Sequence, residues 1–533
     1  MKTHCSKDSP VRRLCRLALG MASLAAVALA ADPVKLTSDK PGKVAAPAAK
    51  SPATRTLPAQ LTVGPNVNIS KSAGDNAETG ITINPVNPLN MFAISTASNV
   101  FRYTTNGGVT WTDSDISGVL GGGSLGDQQM AWDEFGNLFV VYFAGPSFHT
   151  VLALSTDGGA TLSLLVDTGS LFDQPNVAAG QGEVWFDYTN SGRNAQGAAV
   201  TGLGVVGAFS APQTMPGNPG TFGDLAIGPG GQVLNVYQTQ TGNGPSTIFA
   251  NLNPTGVGGT FGAQITVGTT NVGDFAFITP QPNRSIDAEA NLAWDRSGGP
   301  HNGRVYLVYT DRPTTSSNDT DIYVRFSDDN GSTWSSSVRV NDDPVGNGKA
   351  QFMPKIALDQ TTGNIAVSFY DCRNSPGNNT VEFWATVSTD GGASFLANVK
   401  VSAGSSVIPP GGFDFGDYSG LAYHAGAFYP CWADNSNSTG DNPAGAGTTT
   451  DIYTARVRVD DGIVFVDGTF AGPNPDGAQG FPFPTMAPAV TAARSASTLR
   501  IFGVSYPPAI SISKNVRLER WNKTGSGIVH IGP

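Results

Sequence analysis

Histidine and cysteine are scarce in this chain, with five and four among 533 residues. The histidines beyond the N-terminal region are His149, His301, His424 and His530. They share no local pattern, so neither a histidine-based metal site nor a Ser-His-Asp arrangement can be read from them. Charge is equally thin. Only 14% of residues are charged, with 31 basic against 41 acidic and a net charge of −10. An acidic chain without basic runs argues against nucleic acid as a partner. After the first thirty residues no apolar run is long enough to cross a bilayer, which excludes a membrane-spanning helix.

The N-terminus reads as a processing segment. Lys2, Lys7, Arg12, Arg13 and Arg16 form a basic region, residues 17–29 are apolar, and Ala28-Leu29-Ala30 fits a small-residue cleavage site. This pattern predicts a secretory signal peptide over residues 1–30, and therefore a secreted or periplasmic protein. Residues 31–59, rich in Ala, Pro and Lys, read as a flexible linker. Residues 1–31 carry five basic residues and one acidic, leaving about −14 for the rest. Cys5 and Cys15 depart with the signal. In an oxidising compartment Cys372 and Cys431 are expected to form one disulfide, two buried thiols being the alternative.

What the chain has in quantity is glycine and proline, 66 and 36 residues, which suits a large all-β protein with many turns. One motif occurs four times: Thr104-Thr105-Asn106-Gly107-Gly108-Val109-Thr110-Trp111, Ser155-Thr156-Asp157-Gly158-Gly159-Ala160-Thr161-Leu162, Ser327-Asp328-Asp329-Asn330-Gly331-Ser332-Thr333-Trp334 and Ser388-Thr389-Asp390-Gly391-Gly392-Ala393-Ser394-Phe395. Asn106, Asp157, Asp329 and Asp390 can each bond backbone amides just ahead and fix a tight turn. The following Gly supplies positive φ, and the last residue is an apolar plug. A fixed motif recurring at tens of residues signals a repeat architecture.

These residues resemble the Asp-box, or BNR repeat, of the sialidase-like β-propellers. The copy at Ser327 to Trp334 fits that signature at every position. The resemblance covers about residues 60–465 and implies an all-β propeller of four-stranded blades. Seven strand-pair units begin near residues 76, 127, 173, 223, 287, 351 and 414, which predicts seven blades, with six or eight as alternatives. The seventh unit lacks an outer strand, which residues 60–70 would supply. Residues 466–533 read as a C-terminal β appendage or an extra blade, with residues 486–493 and 499–506 as a strand pair.

In such a blade the start of the first strand and the end of the second share a face, opposite the motif turns. Glu78, Asp127, Asp173, Asp224, Asp287 and Asp417 stand before first strands; Asp187, Asp311, Asp371 and Asp434 stand after second strands. The resemblance implies an exo-α-sialidase-type glycoside hydrolase, with an arginine clamp on the substrate carboxylate and a tyrosine nucleophile. On the Asp-rich face, Arg284, Arg312 and Arg373 are the candidate clamp, Tyr418 the nucleophile, Glu289 its base and Asp287 the acid/base. The alternative is a non-catalytic propeller binding extracellular carbohydrate or protein, with Trp294, Trp384 and Trp432 as stacking residues. Either reading makes the partner an extracellular glycan or glycoprotein, the protein a monomer, and no cofactor necessary. The oxygen-rich loops at residues 318–321 and 341–343 would suit Ca2+, and no other metal site is defined.

Overall fold

Alternation of large apolar residues with small or polar ones makes nearly every described segment a strand. The computed structural model describes residues 57–96, 100–121, 126–502, 505–506, 510–521 and 530–531. The signal peptide and most of the linker expected from the sequence lie outside them.

The strands form a seven-bladed β-propeller. Blade 1 consists of Ala77–Ile83, Met91–Thr96, Val100–Thr104 and Thr112–Asp113, paired in that order from the axis outward. The innermost strands of blades 2 to 7 are Gln129–Trp132, Asp173–Gly180, Thr221–Ile227, Asn291–Trp294, Gln351–Leu358 and Gly420–His424. Each packs on the next, and Gly420–His424 packs on Ala77–Ile83, so the circle closes. Blade 7 takes its outer strand from the N-terminal side: Gln60–Asn68 pairs antiparallel with Asp451–Asp460. That pairing covers the outer edge of Asp451–Asp460.

The core is divided among the interfaces between blades. Phe92, Ile94, Trp132 and Leu138 pack between blades 1 and 2. Leu234, Val236, Leu292 and Leu307 pack between blades 4 and 5. The four motif turns fasten these interfaces. Thr333 N donates to Asp329 Oδ1 (2.8 Å), Gly331 N to Ser327 Oγ (2.8 Å) and Trp334 Nε1 to Gly331 O (2.9 Å). Equivalent bonds run from Thr110 N to Asn106, Thr161 N to Asp157 and Ser394 N to Asp390. The Thr333 hydroxyl holds the Asp329 carboxyl below its ordinary range. Three of the four turns also reach the neighbouring blade: Asn90 Nδ2 donates to Gly158 O, Gln232 Nε2 to Asn330 Oδ1 and Arg304 Nη1 to Gly391 O. The partners stand where first strands turn into second strands, so the turns occupy the end of the ring opposite the first-strand starts.

Two expectations are corrected. Cys372 and Cys431 are both free, buried thiols. Cys372 points into the core between blades 6 and 7, beside Phe352, Tyr370 and Trp432. Cys431 stands three residues before the strand end at Asp434 and points into the core between blades 7 and 1, beside Ile81, Met91 and Ile452. The sheet of blade 7 lies between them. The second correction concerns the C-terminal segment. Met486–Ala492 is a helix, not a strand. It packs on a parallel sheet of Ile463–Val466, Thr498–Phe502 and Arg517–Trp521. The parallel order needs a crossover between Ile463–Val466 and Thr498–Phe502, and the helix lies on it.

Candidate functional site

Four inner strands enter the ring through the same backbone irregularity, the register skipping from Ala77 to Gly80, Asp173 to Asn176, Thr221 to Asp224 and Phe352 to Lys355. At the strand entry one residue adopts a left-handed conformation in six blades: Glu78 (φ 50°), Asp127 (54°), Gln174 (52°), Phe222 (47°), Glu289 (47°) and Met353 (50°). None is glycine, and such a residue costs on the order of 1–3 kcal/mol. The seventh position is Tyr418. Asp127, Gln174, Phe222, Glu289 and Tyr418 line the upper mouth of the central channel, Glu78 stands close enough for its charge to act on Asp127, and Met353 packs into the core. A space of about 20 Å3 remains between Asp127, Gln174, Phe222, Glu289, Lys355 and Tyr418. That is room for one water.

The mouth is acidic. Burial, then the charge of Asp417, raises the Glu78 carboxyl to about 7. Burial raises Glu289 to about 8, against the pull of Lys355. Asp127 is driven well above its ordinary range by burial and then by Glu78 and Asp173. Arg284 is the one guanidinium among them. Its Nε and Nη2 grip Asp417 (2.9 and 2.6 Å), and Nη2 also reaches Glu78 Oε1 (3.1 Å). Thr96 donates to the other Glu78 oxygen (2.7 Å). Arg284 arrives on a hairpin, Ala276–Ile278 with Gln281–Ile286, that belongs to no blade. Asp414 accepts the amides of Asn283 and Arg284, and Gln281 bonds Gly416 O, so the hairpin is strapped to blade 7. Tyr418 is 5% exposed, and its hydroxyl has no partner among the described residues. Burial first, and then the charges of Glu78, Asp127, Asp417 and Glu289 in that order, push its pKa well above 10.

The structure brings together Tyr418, Glu289 and Arg284. It places Asp287 behind them: Asp287 Oδ1 accepts the Glu289 amide and fixes its left-handed turn. It separates the other two arginines of the expected clamp. Arg312 is 4% exposed and donates to backbone oxygens of Asn271, Asn243 and Ser317, holding loops together. Arg373 pairs with Asp371 and Asp342 and lies 4.0 Å over the Trp384 ring. The carboxylates after second strands are also engaged elsewhere. Asp187 pairs with Arg193, both side chains fully buried, and Asp311 accepts Thr270 Oγ1 and the Asn271 amide. Only the first-strand positions reach the axis.

The expected stacking tryptophans are not on this mouth. Trp432 is buried against Phe383, and Trp294 lies lower in the channel. Exposed aromatic surface at the mouth comes from Phe275 and Phe277 on the strap, 53% and 55% exposed, with Phe275 edge-on to Phe222. Sequence reading missed Gln174 and Phe222 because their residue types carry no chemistry; only the bulge brings them inward. Around the loop at residues 341–343, Asn341 Nδ2 bonds Asp321 and Asp343, and Arg339 pairs with both carboxylates. Among the described residues no group of three His, Cys, Asp or Glu side chains is arranged to hold a metal ion.

The raised carboxyls make a stability prediction. Their folded-state pKa values lie above the unfolded value of 4.5. The folded state therefore keeps protons that the unfolded state loses, and stability falls as pH rises from about 4.5 through 7 to 8. The slope approaches about 1.4 kcal/mol per pH unit for each titrating group. In thermal melts, Glu289→Gln is expected to match the wild type at pH 5 and to exceed it at pH 8.5. Equal melting points at both pH values would refute the assignment.

The chain matches no protein-family model and no curated protein. Solved structures with a similar outline include a protein of unknown function from Dyadobacter fermentans (12% identity, 75% of this chain and 99% of that one, TM-score 0.40). Others are the α-L-arabinanase of Penicillium chrysogenum (14% identity, 62% and 92%, TM-score 0.36) and the endosialidase of phage phi92 (10% identity, 77% and 70%, TM-score 0.41).

Proposed function

We propose that the upper mouth is the active site of an exported glycoside hydrolase acting on a neutral glycan. One observation carries the reading: a buried tyrosine hydroxyl without a partner among the described residues, ringed by carboxyls whose pKa values are raised toward neutrality. Such a ring supplies a proton donor, a proton acceptor and an oxygen nucleophile within one enclosure.

In this reading the sugar parts the residues around the one-water space at the mouth, which uncovers the Tyr418 hydroxyl, and Tyr418 attacks the anomeric carbon. Glu78, the charge acting most strongly on that hydroxyl, accepts its proton; Arg284 keeps Glu78 partly ionised at neutral pH. Glu289, protonated below about 8, donates to the leaving oxygen. The surrounding negative charge favours the positive oxocarbenium-like transition state. Phe275, Phe277 and Phe222 offer the stacking surface that a sugar ring prefers.

The same charge argues against a sialic acid. A carboxylate substrate needs several free arginines, and Arg284 is already bound to Asp417 and Glu78. Purified protein is therefore expected to release the aryl group from at least one neutral aryl glycoside and none from an aryl sialoside. Sialoside cleavage would contradict the neutral substrate. Silence across the whole panel, with glycan-array binding that Phe275→Ala weakens, would favour the binding module instead.

A further inference from the structure

The channel continues below the mouth. Lys355 Nζ donates to Asn291 Oδ1 across its waist. Beneath lies a chamber of about 350 Å3, walled by inner strands of all seven blades. We propose that this lower chamber is a second ligand site, one that takes a small organic anion with a flat apolar body.

Arg296 carries the argument. It follows the inner strand of blade 5 and lines the chamber. Its guanidinium crosses to blade 3 and lies against Gly180, where an added Cβ would fall 2.4 Å from Nη1. Gly180 has φ of 133° and leaves the room that the guanidinium fills. Among the described residues the Arg296 side chain has no hydrogen-bond or ion-pair partner. Arg284, Arg304, Arg312, Arg339 and Arg373 all have one. Burial pulls the Arg296 pKa below its ordinary value, and the only charge opposing that is Glu134. Arg296 is half-buried and its guanidinium faces the chamber, where a planar anion would match its fork of donors.

The rest of the chamber fits such a ligand. Asp224 is the only carboxylate lining it, and its two oxygens accept the amides of Leu225 and Leu292. Lys355 stands at the roof and His424 at the lower rim. Trp132 and Trp294 give flat apolar walls, and the Trp132 indole N–H is a buried donor without a partner among the described residues. The volume is that of a small-molecule pocket. The site lies at the other end of the channel from the carboxylate ring and does not depend on hydrolysis there.

Isothermal titration with benzoate and with benzamide, equal in shape and different in charge, tests the proposal. Benzoate is expected to bind roughly tenfold or more tightly than benzamide, and Arg296→Gln is expected to erase that difference. Phenyl phosphate, run alongside, ranks the two anionic heads. If Arg296→Gln does not fold, crystals of the wild-type protein soaked in 4-bromobenzoate answer the question. The bromine anomalous peak is expected between Trp132 and Trp294. Equal binding of benzoate and benzamide, an unchanged preference in Arg296→Gln, or a bromine peak only outside the chamber would overturn the site.

Discussion

Replacing Tyr418 by Phe is expected to lower kcat on the neutral glycoside by roughly a thousandfold or more while leaving the melting point unchanged or higher. The two effects separate because the hydroxyl has no hydrogen-bond partner among the described residues. A buried hydroxyl without a partner costs on the order of 1–3 kcal/mol, so deleting it removes a penalty rather than a contact. A purely structural tyrosine would give the opposite pair, intact turnover or a lower melting point. The pH profile adds a check. Activity should rise as Glu78 ionises near 7 and fall as Glu289 loses its proton near 8, giving a narrow bell. The apparent values belong to the coupled carboxyl cluster rather than to either residue alone. Removing Glu289 as Gln should abolish the alkaline limb. A kcat for Tyr418→Phe within tenfold of wild type would end the assignment of that hydroxyl.

Much of the ring was legible because its determinants are local. Each motif turn carries its own hydrogen-bond donors and acceptors, so Ser327 to Trp334 means the same thing wherever it falls in the chain. The borrowed strand could be read as well, since a blade with an apolar outer edge needs a partner and residues 60–70 alternate suitably. The site was half legible. Strand-end carboxylates could be listed, but the list mixed two groups that only three dimensions separate. Asp187, Asp311 and Asp371 bind neighbouring loops and arginines, while Glu78, Asp127 and Glu289 sit on the bulge and turn inward. That bulge is made by Glu, Asp, Gln, Phe and Met, of which only Asp is enriched in left-handed backbone, so no shared propensity announces it. Arg284 was picked out as a candidate, yet its strap could not be placed, because its anchors at Asp414 and Gly416 are more than a hundred residues away. The cysteines misled for a related reason. Neighbouring repeats suggest proximity, but strand alternation put the two thiols on opposite sides of one sheet.

Deleting residues 57–70 is expected to open the ring. Gln60–Asn68 contributes the backbone bonds along Asp451–Asp460, at about 1 kcal/mol each, together with the buried side chain of Leu61. Asn68 and Ser70 also bond the Asp451 carboxylate. The sum is several kcal/mol, a large part of the roughly 5–15 kcal/mol that holds a domain folded. The exposed edge of Asp451–Asp460 would also invite association between chains. The truncated protein should therefore melt well below the full chain and aggregate on standing. A peptide of residues 57–72 supplied in trans should add the missing strand and raise the melting point again. Function should follow the same course. Asp451 begins beside Thr450, whose hydroxyl and carbonyl hold Asn76, two residues before Glu78. Closing the ring thus fixes the entry of blade 1 and with it the carboxyl that takes the Tyr418 proton. The peptide is expected to restore melting point and turnover with the same concentration dependence. A truncated chain that melts and turns over like the full chain would show that closure resides elsewhere.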